Sequence, residues 1–410
     1  MLQSACAPGL ANASRAVCLA LVLSRASFPV DSTWTAEQRA LRERVLEFAT
    51  EELNHNLASR DRDSIFVREN WNKCAAFGVL GACVPQAYGG RGYDVVTTMI
   101  LLEALGQGCR DNGLTLALNG QMWSIQEPIL RFGSEEQKKR FLPRLCSGAW
   151  LGAHGMTEPG SGSDAFSLQT SAVPSAGGYI LNGHKSYIGL APEADVSLVF
   201  AKTDPGLGAW GISVFLIERG TKGLHQPPAR PKMGLRTAPL GDLILEDCFV
   251  PEENRLGPEG VGMSLFNASM DWERSFIFAS HVGSMARQLE QCIEYARTRS
   301  QFGQPIGSFQ SVSNRIAEMR LRLETSRLLL YKLAWMKQRD EPAALEAALA
   351  NLHLAESFAA NSMDAVRIHG ARGYLSEFEI ERDLRDSVGG VIYSGTSDIQ
   401  RNLVARLLGL

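Results

Sequence analysis

Hydrophobic and polar positions change their spacing twice along the chain. Up to about residue 150, apolar residues recur every three to four positions, as in amphipathic helices. Between about 151 and 258 the apolar runs are short or alternating and are separated by Gly, Pro and Asp, which is typical of strands. The helical spacing then returns in longer segments. The predicted helices cover 35–57, 70–77, 93–105, 123–132, 267–299, 309–339, 343–368 and 397–408, and the predicted strands cover 177–185, 196–201, 211–218 and 242–247.

This succession predicts a mostly α fold with a small β domain. We expect a leader over 1–34, an N-terminal helical domain over 35–150, a middle β-sandwich or barrel over 151–258, and a C-terminal antiparallel four-helix bundle over 259–410. Thr35 and Gln38 stand at the spacing of a helix cap. Asn182-Gly183 predicts a tight turn at the end of the first strand.

The leader differs in composition from the rest of the chain. It contains Arg15 and Arg25, no acidic residue before Asp31, and an apolar run over 16–23 that is too short to span a bilayer. Such a segment is typical of a mitochondrial transit peptide and less so of a secretory signal. Because no clear cleavage pattern follows, we interpret it as a disordered or misassigned start.

Composition excludes several classes of function. With 410 residues, 45% hydrophobic content and a net charge of −3, the chain is typical of a globular protein and offers no basic face for nucleic acid. Its eight cysteines are scattered, without a C-x-x-C pair, so they predict reduced thiols and neither a disulfide framework nor a zinc site. We therefore expect no nucleic-acid partner, no membrane partner and no metal.

One carboxylate lies in an apolar stretch of a predicted helix. Glu273 has Met270, Phe276 and Ile277 as its neighbours three and four positions away, which places it on the buried face. Burying a lone carboxylate is costly, so Glu273 needs a partner or a chemical role. By itself the segment favours a structural ion pair with Arg274 or another cation, and a general base is the alternative.

Four segments rich in glycine and hydroxyl groups could carry chemistry, although each alone is typical of a turn or a helix end. The first has the formal spacing of a dinucleotide fingerprint, but that fingerprint requires a βαβ unit, which this region does not predict. In the last, Ser397 and Gln400 stand at capping-box spacing. The segments are 157–164, 299–305, 369–374 and 392–400.

Together and in this order, these segments resemble the acyl-CoA dehydrogenase family, from about residue 35 to 410. The resemblance includes the helical, β, helical succession. The matching motifs are Gly133-Ser-Glu-Glu-Gln-Lys138, Met156-Thr-Glu-Pro-Gly-Ser-Gly-Ser-Asp164, Arg299-Ser-Gln-Phe-Gly303, Gly370-Ala-Arg-Gly-Tyr374 and Tyr393-Ser-Gly-Thr396.

The resemblance implies FAD as the cofactor and a homodimer as the minimum active unit, with a homotetramer as the family's common state. Three groups of residues stand where the family binds FAD. Those at the isoalloxazine and pyrophosphate are His154, Met156, Thr157 and Ser163, with Tyr187, Ile188 and Gly189 also at the flavin. Those reaching the adenosine half in a neighbouring subunit are Arg299, Phe302 and Gln310, and those closing the site are Gly370, Thr396 and Asp398.

Two positions depart from the family pattern. Most members carry the catalytic Glu directly before the last Gly-Thr, where this chain has Ser394, and a serine hydroxyl cannot accept the α-proton of a thioester. A minority carries the base on the helix after the β domain, at the position of Glu273. Gly189 replaces a flavin-contacting Thr, so a hydroxyl contact is lost.

The resemblance implies a specific reaction. Glu273 would remove the α-proton of an acyl thioester while flavin N5 takes the β-hydride, leaving a trans-enoyl thioester. The carbonyl must be polarised for this to occur, and the backbone N–H of Ser394 would supply that polarisation together with a flavin ribityl hydroxyl.

The segments 306–315 and 392–410 look closest to the family branch that acts on acyl or prolyl groups held by a carrier protein in natural-product pathways. A coenzyme A ester of fatty-acid or amino-acid breakdown is the alternative. Electron-transferring flavoprotein would be the electron acceptor, or dioxygen in a relative that uses it directly. A non-catalytic flavin-binding scaffold is a further alternative. Such bacterial pathways place the protein in the cytoplasm, or in the mitochondrial matrix if the leader is a transit peptide.

Overall fold

The computed structural model describes residues 33–410. The helices of the first part are α1 (Ala36–Glu52), α2 (Leu57–Arg62), α3 (Arg68–Phe77), α4 (Val95–Gly108), α5 (Asn112–Gly120), α6 (Glu127–Phe132) and α7 (Glu135–Cys146). The strands are β1 (Gly152–Gly155), β2 (Ser171–Ser175), β3 (Gly178–Gly189), β4 (Val196–Lys202), β5 (Ile212–Glu218), β6 (Leu224–His225) and β7 (Leu240–Pro251). The last part contains α8 (Gly262–Phe276), α9 (Ala279–Thr298), the hairpin β8 (Ser300–Gln301) and β9 (Gln304–Pro305), α10 (Gln310–Gln338), α11 (Ala344–His369), α12 (Ala371–Tyr374), α13 (Ile380–Gly390) and α14 (Ser397–Leu407).

Side-chain caps set where several helices begin. The predicted cap of the first helix is confirmed, because the Gln38 N–H donates to Thr35 Oγ1 and the Thr35 N–H donates to Gln38 Oε1. The Asp94 carboxylate accepts from the Thr97 N–H at the start of α4. The predicted helix 35–57 is interrupted after Glu52, and Asn56 takes a left-handed conformation with φ 54° before α2.

A π-helical segment over Gln121–Gln126 joins α5 to α6. The sequence predicted an ordinary α-helix from 123 to 132. The wider turn changes which side chains point inward, and single π-turns of this kind are frequent at functional sites. Trp123 and Ser124 lie inside it and are both buried.

The seven strands from β1 to β7 form one curled sheet in the order β1, β4, β2, β3, β7, β6, with β5 paired to β4. Strand β4 runs parallel to β1 and antiparallel to β5. Its alternate residues enter two different cores: Leu198 and Phe200 join the core shared with the N-terminal helices, whereas Val199 and Ala201 join the core inside the curl. The predicted combination of helices around a small β domain is confirmed.

The prediction of a turn at Asn182-Gly183 is wrong, because β3 continues through both residues and its register against β7 shifts there. Asn182 Oδ1 accepts from the Asp247 N–H, so the asparagine bridges two strands. A Cβ at Gly183 would stand 2.3 Å from Thr170 Oγ1. Glycine is therefore required here by a close contact in a bulged strand and not by a turn.

The predicted helix 267–299 is divided between α8 and α9 at Ile277 and Phe278. The Ser275 hydroxyl donates to the carbonyl of Asp271 one turn earlier, a bond that bends helices. Other elements were not predicted: helices α2, α5, α7, α12 and α13, strands β1, β2 and β6, and the β8–β9 hairpin. Helices α10 and α11 are antiparallel, as the ion pair of Lys332 with Glu346 shows together with bonds further along the two helices.

None of the helices between residues 33 and 410 combines the length and apolar character needed to cross a membrane. The same residues contain no group of three His, Cys, Asp or Glu side chains that could hold a metal ion. The predicted disorder of the leader falls on residues outside this part of the chain, apart from its last two positions.

Helices α4 and α9 approach each other backbone to backbone. A Cβ at Gly106 would stand 1.8 Å from the Ser280 carbonyl oxygen, and a Cβ at Gly283 would stand 1.9 Å from the Glu103 carbonyl oxygen. Neither carbonyl can rotate away as a side chain could, so the two glycines set how closely α4 and α9 pack.

We predict that Gly283→Ala lowers the free energy of unfolding by about 3 kcal/mol, since the added methyl group forces the two backbones apart. Gly120→Ala is the matched control, because Gly120 has helical dihedrals and its Cβ would meet nothing within 4 Å. That control is expected to be neutral or to gain up to about 1 kcal/mol. Thermal unfolding compares the two, and equal midpoints would contradict the close packing.

Candidate active site

The Glu273 side chain lies buried on α8, with 8% of the residue exposed. Its neighbours Met270, Phe276 and Ile277 are buried as well, as predicted. The Ser394 hydroxyl donates to Glu273 Oε1 at 2.5 Å, and the Ser124 hydroxyl donates to Oε2 at 2.8 Å. Three distant segments of the chain therefore meet at one carboxylate.

The structure does not bear out an ion pair between Glu273 and Arg274. Within residues 33–410 Glu273 takes part in no salt bridge, and Arg274 Nε is buried without a hydrogen-bond partner. Burial lowers the pKa of Arg274, an effect that the charges of Glu273 and Asp271 oppose. The carboxylate is thus satisfied by neutral hydroxyls and not by a cation.

The loop that carries Ser394 is tightly held. Ser394 and Gly395 have φ values of 57° and 89°, and Gln400 Nε2 donates to both of their carbonyl oxygens at 3.2 Å. The predicted capping box at Ser397 is wrong. The cap is Thr396, whose Oγ1 accepts from the Ile399 N–H, which leaves the Gln400 side chain free to bind the loop.

The backbone N–H of Ser394 is a candidate hydrogen-bond donor for a ligand. Among residues 33–410 no backbone or side-chain acceptor takes a hydrogen bond from it. The neighbouring Tyr393 ring packs on Phe278, which in turn stacks on His281, so the loop rests on a rigid aromatic support. A free donor held beside a carboxylate can bind a carbonyl oxygen while the carboxylate accepts a proton from the adjacent carbon.

The β domain contributes a second group of predicted residues. His154 lies on β1 beside Phe200 and Phe266, and its buried Nε2 has no hydrogen-bond partner among residues 33–410. Burial lowers the pKa of His154; the Glu273 carboxylate opposes this shift and the Lys185 ammonium adds to it. The Nε2 atom of His154 is therefore available to form a hydrogen bond with a ligand.

A buried ion pair anchors the loop that follows β1. Lys185 on β3 is fully buried, and its Nζ donates to Glu158 Oε1 at 2.8 Å and to the Met156 carbonyl at 3.1 Å. The Ser186 N–H donates to the Thr157 carbonyl. Burial lowers the pKa of Lys185 to about 8, against the effect of Glu158. These bonds join residues 156–158 to β3.

The end of β3 presents an open face beside this anchored loop. Tyr187 has φ 60°, is 57% exposed and lies under the Arg230 guanidinium, whereas Ile188 is buried. A Cβ at Gly189 would meet nothing within 4 Å, so there is free space where a side chain would project. A flat ligand could lie against this face.

Within residues 33–410 the other predicted residues make no hydrogen bond, ion pair or ring contact with Glu273. All of them lie on the surface. Phe302 is 94% exposed at the tip of the β8–β9 hairpin, and Asp398 pairs with Arg401 at the start of α14. The remaining members of this exposed group are Ser163, Arg299, Gln310 and Gly370.

Sequence reasoning missed Ser124, Lys185 and Glu158. Nothing in the local sequence distinguishes Ser124 from any polar residue in a buried helix. Lys185 and Glu158 lie in a predicted strand and a predicted turn, where charged residues are usually solvent-exposed. Their roles arise from contacts between distant segments.

Three family models match the chain. "Acyl-CoA dehydrogenase, N-terminal domain" matches residues 35–149, "Acyl-CoA dehydrogenase, middle domain" matches 153–248, and "Acyl-CoA dehydrogenase, C-terminal domain" matches 260–409. These models cover most of the sequence in the expected order. The chain belongs to the acyl-CoA dehydrogenase family.

Several individual relatives and solved structures within this family are similar to the chain. The chain is 46% identical over 346 residues, 84% of its length and 91% of the relative's, to an L-prolyl-(peptidyl-carrier protein) dehydrogenase of Pseudomonas fluorescens. Among solved structures it is similar to the prolyl acyl carrier protein oxidase AnaB, with a TM-score of 0.91, 48% identity and coverage of 92% and 100% of the two chains. A structure of PigA with FAD and proline gives a TM-score of 0.90, 39% identity and coverage of 92% and 99%.

We predict that Lys185→Met lowers the free energy of unfolding by about 3–5 kcal/mol, because the buried Glu158 carboxylate loses its counterion. The double variant Glu158→Gln with Lys185→Met is the control and should regain part of this loss, since no buried charge is left unpaired. Thermal unfolding at neutral pH measures both. A single variant as stable as the wild type would show that the pair does not anchor the loop.

Proposed function

We propose that this protein is an FAD-dependent dehydrogenase that introduces an α,β double bond into an acyl thioester, and that its acyl group, prolyl or similar, is held by a carrier protein. The observation that supports the chemistry most directly is the Glu273 carboxylate beside the free N–H of Ser394. Family membership supports the reaction class. The names of the relatives, which specify prolyl groups on carrier proteins, support the substrate class.

The residues present fit an FAD molecule. His154 offers a buried, unpaired Nε2, and Gly189 leaves open space at the face of Tyr187 and Ile188. Met156 and Thr157 lie in the loop anchored by Lys185, where they would hold the ring system. Bound there, FAD would supply the acceptor for the hydride that leaves the substrate β-carbon.

Removal of the substrate α-proton would depend on two groups of this chain, the Ser394 N–H and the Glu273 carboxylate. A C–H group next to a thioester is too weakly acidic for a carboxylate unless the carbonyl oxygen is stabilised as charge develops on it. The Ser394 N–H would donate to that oxygen. Glu273 would accept the α-proton, and the electron pair of the broken C–H bond would become part of the new double bond.

The exposed hairpin supports a shared site. Arg299, Phe302 and Gln310 are exposed and make no hydrogen bond, ion pair or ring contact with Glu273 within residues 33–410, and 94% of Phe302 is exposed. A second copy of the chain would bring these residues to the adenosine half of its FAD. Ser163 would lie at the isoalloxazine and pyrophosphate, and Gly370, Thr396 and Asp398 would close the site. The minimum active unit is then a homodimer, and a homotetramer would contain two of them.

The proposed function has two versions, a dehydrogenase and an oxidase, which differ in the electron acceptor. A dehydrogenase would pass electrons to an electron-transferring flavoprotein, whereas the relative AnaB is described as an oxidase, which favours dioxygen as the alternative. Rapid reoxidation of the reduced flavin in air would support the oxidase.

Carrier-protein pathways of this kind operate in the bacterial cytoplasm, which is the proposed location. A coenzyme A thioester remains the alternative substrate.

We expect Glu273→Gln to bind FAD but to lose flavin reduction by more than about 1,000-fold, because general-base catalysis typically contributes 10²–10⁴. The amide preserves the size of the side chain and one accepting oxygen, and its NH2 group can donate to the other serine hydroxyl, which then acts as the acceptor. Anaerobic stopped-flow absorbance measures flavin bleaching by L-prolyl carrier protein and by butyryl-CoA. Unchanged bleaching in the variant would exclude Glu273 as the base, and absence of bleaching in the wild type would favour the non-catalytic scaffold.

We expect Phe302→Ala to weaken FAD binding by about tenfold or more, since stacking of a nucleobase on an aromatic ring contributes about 1–3 kcal/mol. Phe249→Ala, at a partly exposed position on β7, is the control and should leave binding unchanged. Titration of the apoprotein with FAD, followed by flavin fluorescence, gives both affinities. Equal affinities would argue against the shared site.

A further inference from the structure

We infer that the hydroxyls of Ser124 and Ser394 are a positioning pair that fixes the orientation of the Glu273 carboxylate for proton removal. This inference rests on the proposed function and extends it to two side chains for which neither the family resemblance nor the relatives' names imply such a role. Each hydroxyl binds a different oxygen of the same carboxylate. The two hydroxyls act through Glu273, so they position the base, whereas the backbone N–H of Ser394 is the group proposed to meet the substrate.

Hydrogen bonds to both oxygens fix the orientation of the Glu273 carboxylate as well as its position. A glutamate side chain on a helix can turn about three torsions, and the last of these rotates freely between broad minima. A single donor would leave that rotation open. Donors on both oxygens fix the carboxylate plane, and of its four lone-pair directions two remain available to accept a proton.

Ser394 couples the base to the carbonyl donor. Its hydroxyl binds Glu273 while its own backbone N–H is unpaired, so one residue sets both groups that act on the substrate. Its left-handed conformation, with φ 57°, is unusual for a residue with a side chain and is maintained by the two bonds from Gln400. A rigid loop of this kind holds the hydroxyl in place without help from solvent.

Ser124 is held from the opposite side. It lies in the π-helical segment between α5 and α6, and the adjacent Trp123 ring packs against Trp272 and Phe276 of α8. Trp272 directly precedes Glu273. The same packing that buries the carboxylate therefore fixes the distance between α8 and the serine.

The simplest competing explanation is that the hydroxyls only satisfy a buried charge. Both explanations predict some loss of stability when a serine is replaced by alanine. They differ in kinetics, because a misdirected base slows the chemical step while leaving thioester binding nearly unchanged.

The test compares Ser124→Ala and Ser394→Ala holoenzymes with the wild type in anaerobic stopped-flow reduction. The probe is L-prolyl carrier protein, with butyryl-CoA as the second thioester. We expect the limiting rate of flavin reduction to fall about 10- to 100-fold in each variant, with the apparent dissociation constant of the thioester changed by less than about threefold. Deuterium at the α-carbon should slow the variants by a larger factor than it slows the wild type. The double variant should be about as slow as the slower single one, since the pair acts as a unit.

Two controls keep the result interpretable. Ser326→Ala removes another fully buried hydroxyl, on α10, that has no hydrogen-bond partner in the described part of the chain, and should leave the rate unchanged. Ser394→Gly removes the same hydroxyl as Ser394→Ala but suits the left-handed conformation, so it replaces that variant if the alanine protein does not fold.

The outcomes separate the two proposals. Unchanged limiting rates in the serine variants, with Glu273→Gln inactive, would overturn the positioning pair and leave the proposed function intact. A weaker thioester affinity at an unchanged limiting rate would also overturn it. Full activity of Glu273→Gln would instead refute Glu273 as the base, and absence of flavin bleaching in the wild type would refute the proposed function.

Discussion

The structure depends on one constraint: a carboxylate that is buried must be given hydrogen bonds without being neutralised. A cation at contact distance would hold Glu273 as a structural ion pair and compete for the lone pairs that a proton needs. Two serine hydroxyls satisfy Oε1 and Oε2 and carry no charge. The position of α8, the π-helical segment at Ser124 and the loop at Ser394 all serve this arrangement.

The helical part and the β part of the site are held by different interactions. On the helical side, aromatic packing around Trp123 and Phe278 fixes Glu273, the proposed base, and the loop that faces it. On the β side, a buried ion pair between Lys185 and Glu158 fixes the segment proposed to hold the flavin. Apolar packing gives helices few alternative positions, whereas a loop with free backbone groups needs directional bonds to be equally well defined.

Sequence-based predictions succeeded where a property is local and failed where a distant segment decides. Glu273 was correctly placed on a buried face, because helical periodicity depends only on neighbouring positions. Asn182-Gly183 was misinterpreted as a turn, since nothing nearby reveals that Thr170 and Asp247 require this pair within a continuous strand. The cap of α14 moved from Ser397 to Thr396 for a similar reason, because Gln400 binds the preceding loop.

The sequence by itself determined the order of helical and β segments, the family, and the position of Glu273 on a buried helix face, because periodicity and motif spacing are properties of the linear chain. Only the tertiary structure decided what holds that acid. Ser124 and Ser394 are separated from Glu273 by 149 and 121 positions, and no local pattern connects hydroxyls so far apart. Their convergence results from packing α8 against two other segments, and hydrogen bonds that depend on such packing exist only once the chain has folded.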